Sequence, residues 1–183
     1  MKFDRESLID SIRQGEPAEL LLFWGHTRRA GARVGKECLS QWWPAEFEIA
    51  GIRYATAEHF MMASKARLFG DREAEERVLA AAQPRDAKRI GRQVRNFDGA
   101  RWSDACFDFV VEGNLAKFSQ HADLRAFLLS TGDHVLVEAS PTDAIWGIGL
   151  AADDPRALNP EKWRGRNLLG FALTRVKTIL RDR

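Results

Sequence analysis

The chain has 183 residues, enough for one domain with a sizeable core, and its 45% hydrophobic and 30% charged residues are an ordinary globular balance. A net charge of +2 and a pI near 8.7 are not the signature of a dedicated nucleic-acid binder, so any polyanion site is a local patch. The two cysteines, Cys38 and Cys106, form no CxxC pair, the charged start MKFDRESLIDSIRQGE has no signal-peptide core, and no apolar run nears the ~18 residues of a membrane span. The composition therefore reads as a cytoplasmic protein with reduced thiols and no membrane partner.

In chain order, Leu8, Ile9 and Ile12 mark a short amphipathic helix before Gly15 and Pro17. Residues 19–24 (ELLLFW) read as a buried strand. The Gly- and Arg-rich segment 25–43 lacks periodicity and reads as a loop that can shape a site. Residues 47–54 (FEIAGIRY) alternate around Ala50 and Gly51, a hairpin pattern. Thr56 caps a helix over 57–69 that Gly70 ends. Further helices are expected over 73–82, over 84–93 behind Pro84, and over 102–118. The last is apolar on more than one face, which predicts a central, buried helix. A helix over 122–129, a strand over 134–139 and a closing helix over 169–180 follow. The chain shows no repeat and no linker. The expected fold is mainly α with a small β-sheet, a compact single domain over 1–183.

Glu58 and Lys65 stand almost two helical turns apart, so both point to one partly apolar face with Phe60, Met61 and Met62 between them. Such a pair is either an ion pair or a reaction site. An amine in an apolar setting loses proton affinity and can attack an electrophilic carbon. Glu58, in the first turn, either complements the helix dipole or moves protons. His59 lies beside it and can orient it. Residues 140–149 (SPTDAIWGIG) follow a strand and offer Asp143, Trp146 and two close-approach glycines, Gly147 and Gly149; the plainer reading is a capped turn. Arg85, Lys88, Arg89 and Arg92 form one helical stripe, either a phosphate clamp or a solvated face, with Arg95 just beyond. Trp102 is a stacking wall or core. Arg166 and Asn167 in GRNLLG (165–170) precede a helix, where a phosphate is physically reasonable. The histidines lack metal-ligand spacing, and no metal or cofactor is expected.

Together EHFMMASKA (58–66), the segment from Gly91 and Arg92 to Trp102, DAIWG (143–147) and GRNLLG occur in the order seen in YbiA-like proteins, the NADAR domain family, which this chain resembles over about residues 20–180. The resemblance implies a mainly helical YbiA-like fold and an N-glycosidase. Some members hydrolyse phosphoribosylamino-pyrimidine intermediates of riboflavin biosynthesis; others remove ADP-ribose from guanine in nucleic acid. The implied partner is thus a small ribosyl phosphate or an ADP-ribosylated nucleobase. By position, Glu58 and Asp143 match the acidic site residues, Lys65 the lysine proposed to form a Schiff base, and Trp102 an aromatic of the pocket. Arg92, Arg166 and Asn167 match positions near phosphate or ribose. Two departures stand out. Ile148 replaces an acid found in some relatives, and the 25–44 segment is longer and more basic.

Overall fold

The computed structural model describes residues 4–27 and 34–182. The most basic stretch of the Gly- and Arg-rich segment, residues 28–36, therefore lies mostly outside the described residues. Its last member, Lys36, donates from Nζ to the Leu22 carbonyl at 3.2 Å. Among the described residues there are seven α-helices and four short strands, in two units: residues 41–122, and the segments before and after them. None of the described helices is long and apolar enough to cross a membrane.

The 41–122 unit starts with an antiparallel hairpin, β2 (Phe47–Ile49) on β3 (Ile52–Tyr54). Its turn residues Ala50 and Gly51 both have positive φ, 51° and 79°, as a tight two-residue hairpin requires. Thr56 then caps α2 (Ala57–Leu68), its Oγ1 accepting from the His59 amide. Every residue of α2 from Ala57 to Ser64 is buried. The helix packs on α3 (Arg72–Leu79), α4 (Pro84–Gly91), α5 (Gly99–Gln120) and β3. The hub of this unit is therefore α2. The long helix expected to be central, α5, exposes Asp104, Asp108 and Glu112 and buries a stripe that includes Cys106, Val110 and Phe118. It also begins three residues earlier than its apolar pattern predicts. Asp98 caps it by accepting from the Arg101 amide at 3.0 Å. Close crossings explain two helical glycines. A Cβ at Gly91 would lie 2.1 Å from Met62 Sδ, and one at Gly113 2.6 Å from the Phe60 ring.

The other unit holds α1 (Arg5–Arg13), β1 (Leu20–Phe23), α6 (Ala122–Ser130), β4 (Val135–Glu138) and α7 (Leu168–Arg181). Strands β1 and β4 pair in parallel, Leu20 opposite Val135, although over a hundred residues separate them in sequence. The small β component is thus two two-stranded ladders. Helix α7 packs on β4. Its buried Lys177 donates to the His134 carbonyl (2.7 Å) and to Thr131 Oγ1 (3.2 Å), tying down the approach to β4. Burial pushes this amine down to about 8.

Candidate active site

Lys65 leaves α2 one turn before its end and is half-buried. Its Nζ lies 4.2 Å from the centroid of the Phe97 ring and 5.5 Å from that of Trp102. Each of the two rings packs on a further ring. Phe97 meets Phe69 edge-on at 5.3 Å, and Trp102 stacks on Phe109 at 6.2 Å. Among the described residues Lys65 forms no ion pair, so the ion-pair reading of Glu58 and Lys65 is not the arrangement found. Desolvation holds the amine below the usual lysine range, which enlarges its neutral, nucleophilic fraction.

Glu58 is 4% exposed, and its amide donates to the Gln41 carbonyl at 3.0 Å. Gln41 is itself buried and accepts from Asn114 Nδ2 at 2.7 Å, so the wall behind the first turn of α2 is a polar network. His59 does not serve Glu58 through its ring nitrogens. Nδ1 meets the Thr56 hydroxyl at 2.8 Å and Nε2 the Ala81 carbonyl at 3.0 Å. A carbonyl only accepts, so Nε2 carries the proton and Nδ1 accepts from Thr56. Burial lowers the pKa of His59. The unfolded chain then binds more protons than the folded one on the acid side of the ordinary histidine pKa. Stability should accordingly be full above about pH 6.5 and fall on acidification below it. Urea unfolding at pH 7 and pH 5 should show this loss, and His59→Gln should remove the histidine-linked part of it.

The arginine stripe is mostly a solvated face. Arg85 and Arg92 are exposed, Arg89 pairs with Asp86 at 3.3 Å, and Lys88 Nζ lies 5.9 Å from the Trp42 ring. Arg95 is not available to a phosphate. Its Nη2 and amide bind Asp71 at 2.6 and 2.8 Å, which holds that carboxylate well below its usual range. Trp43, in the same unit, is core at 4% exposure.

In the other unit, Asp143 builds its own turn. Its Oδ1 accepts from the amides of Ile145 (2.9 Å) and Trp146 (2.8 Å). The loop from 143 to 149 and the segment from 164 to 169 are laced by backbone bonds. The amides of Arg166, Asn167, Leu168 and Leu169 donate to the carbonyls of Ala144, Gly147, Ile145 and Trp146 at 3.0–3.2 Å. The first two amides of α7, of Leu168 and Leu169, are thus bonded to protein carbonyls. Asn167 is fully buried in the left-handed region, φ 56°. Its Oδ1 accepts from the Glu138 amide at 2.9 Å, and its Nδ2 donates to the Leu136 carbonyl at 3.0 Å. Gly147 and Gly165 are packing positions too. A Cβ at Gly165 would lie 2.3 Å from the Gly147 carbonyl oxygen, and one at Gly147 2.8 Å from that of Glu138. Trp146 is half-buried, Arg166 is exposed, and Ile148 is core.

Of the expected site residues, Glu58, His59, Lys65, Arg92 and Trp102 thus belong to the 41–122 unit, and Asp143, Trp146, Gly147, Arg166 and Asn167 to the other. Within the first, Lys65 and Trp102 are in contact. Sequence reasoning missed Phe97, the ring nearest the amine. Its only signal is an aromatic residue in the polar run Arg95 to Asp98.

The NADAR domain family model matches residues 22–181, which is most of the chain. The chain belongs to the NADAR domain family. It is 43% identical over 150 residues to N-glycosidase R617 of Acanthamoeba polyphaga mimivirus, covering 79% of this chain and 88% of that one. It is 38% identical to N-glycosidase Npun_R5314 of Nostoc punctiforme, over 79% and 86% of the two chains. It is 31% identical to N-glycosidase YbiA of Escherichia coli K12, over 75% and 76%. The NMR structure of E. coli YbiA superposes on this NADAR chain with a TM-score of 0.71 at 26% identity, covering 90% of this chain and 86% of that one.

Proposed function

We propose that this chain hydrolyses the C–N glycosidic bond of a phosphorylated ribosyl group, and that its substrate is a phosphoribosylamino-pyrimidine intermediate of riboflavin biosynthesis. The chain is an N-glycosidase of the NADAR family, a hydrolase of N-glycosyl bonds. The observation that carries the chemical reading is Lys65, an amine without an ion-pair partner among the described residues, desolvated between two aromatic rings.

Neutral Lys65 adds to the anomeric carbon while the C–N electron pair leaves on the base nitrogen. The proton lost by the attacking amine passes through Glu58 to that leaving nitrogen. The ring C–O bond then breaks as the nitrogen lone pair forms the C=N bond, and the remaining amine proton passes to the ring oxygen, which leaves the open sugar as a Schiff base on Lys65. Water hydrolyses the Schiff base, which frees the sugar and restores the amine. Asp143 is the second proposed acid. It matches the family motif, and its Oδ2 stands outside the bonds of its own turn. By the family motifs, Trp102 and Trp146 are each proposed as aromatic substrate contacts, and Arg92 and Arg166 each as phosphate contacts.

The test is a hydrolysis screen over a free ribosylamino-pyrimidine phosphate and an oligonucleotide carrying ADP-ribosylated guanine. Release of ribose 5-phosphate from the first is expected. Turnover of the oligonucleotide alone, which the basic 28–36 segment would favour by following a phosphate backbone, moves the substrate to ADP-ribosylated guanine. ADP-ribose binding with no hydrolysis of either probe turns the chain into a binding module and overturns the proposal.

A further inference from the structure

Phe97 is 49% exposed, an unusual setting for a phenylalanine, yet nothing about its placement is loose. The residue before it, Asn96, has φ 55°, in the left-handed region. The residue before that, Arg95, is locked to Asp71 through both its amide and its guanidinium, and its Nη2 also reaches Glu73 at 3.2 Å. The residue after it, Asp98, caps α5. The short 95–98 segment is thus anchored at both ends, and it presents one ring that meets Phe69 edge-on and has Lys65 Nζ 4.2 Å from its centroid. A solvent-exposed aromatic would gain nothing from such anchoring if it only filled space.

We propose that Phe97 is a positioning residue that holds the Lys65 amine against Trp102. The electron-rich ring face attracts the ammonium and fixes the direction of the flexible side chain. The ring body keeps water from the stem. The other charged groups of this unit near the amine are engaged or lie in the solvent. Glu58 lies on the same helix, Arg95 and Asp98 are bound as described, and Arg101 lies over the Phe69 ring at 5.5 Å. Asp104 and Asp108 on α5 are exposed. The catalytic consequence rests on Lys65 as the nucleophile; the hold on the amine does not.

The experiment is trace labelling of the free protein with acetic anhydride across pH, read at Lys65 by mass spectrometry. The parent, Phe97→Leu and Phe97→Tyr are compared. Leucine keeps the apolar body and removes the ring face. The Lys65 midpoint should therefore move down by about half a unit to one unit in Phe97→Leu. Phe97→Tyr, which keeps the face, should follow the parent curve. With the ribosylamino-pyrimidine phosphate, the pH at which kcat/KM rises should move down in Phe97→Leu together with the labelling midpoint, because the free amine is the attacking form, and Phe97→Tyr should keep the parent profile. An unchanged Lys65 midpoint in Phe97→Leu overturns the proposal. If instead Lys65→Ala still turns over substrate, the nucleophile assignment fails while the labelling curves still decide what Phe97 does.

Discussion

Lys65→Ala is expected to lower kcat about a thousandfold or more, because loss of a nucleophile removes the covalent route and leaves only binding and charge stabilisation. Folding should survive. Lys65 is half-buried and makes no ion pair among the described residues, and alanine suits a helix interior, so the stability change should stay within about 1 kcal/mol. Thermal unfolding measured beside the kinetics separates the two effects. Lys65→Arg should be as inactive as the alanine variant, since a guanidinium remains protonated and cannot attack. Borohydride added during turnover of the parent should leave one sugar adduct, located at Lys65 by peptide mass spectrometry. No adduct on the parent, together with an active Lys65→Ala enzyme, removes the lysine from the mechanism.

Asn167→Leu should cost about 3–5 kcal/mol of stability. The substitution leaves the Glu138 amide and the Leu136 carbonyl without the side chain that binds them, at about 1–3 kcal/mol for each buried group. It also puts a branched side chain at φ 56°, where only Gly and, to a lesser degree, Asn and Asp are comfortable. For a chain of this length, that corresponds to a fall in Tm of roughly 10 °C. Asn167→Asp keeps the acceptor and loses the donor, so it should fall between the two. A substrate contact without a structural role would give the opposite pattern: an unchanged Tm and a raised KM for both variants.

The helices were legible because their caps and periodicities were local. Thr56, Asp98 and Gly51 each act within a few residues of where they stand, and even the early start of α5 follows from Asp98 once its capping role is weighed against the apolar pattern. The pairing of β1 with β4 was not legible, because parallel register across over a hundred residues leaves no local mark. The same division runs through the site. Lys65 and Trp102 were singled out from helical spacing and the family motifs, and they are in contact. The side-chain bonds of Asn167 and the tight packing at Gly147 were not legible, because a polar or small residue in a motif looks alike whether it faces a ligand or a neighbouring carbonyl. Phe97 was missed because its position comes from the 95–98 segment being held to Asp71, a contact from 24 residues away.

The backbone lacing between residues 143–149 and 164–169 has a consequence for how this protein can change. That loop is shaped by amides and carbonyls, with Asp143, Gly147, Gly149 at φ 68° and the facing Gly165 as its fixed side-chain requirements. The side chains of Ala144 and Ile145 are exposed and contribute nothing to its shape. They form an exchangeable surface on a rigid frame. Variation there changes the outer surface of the loop while the bonded frame stays as it is, so a library confined to those two positions should keep a Tm close to that of the parent.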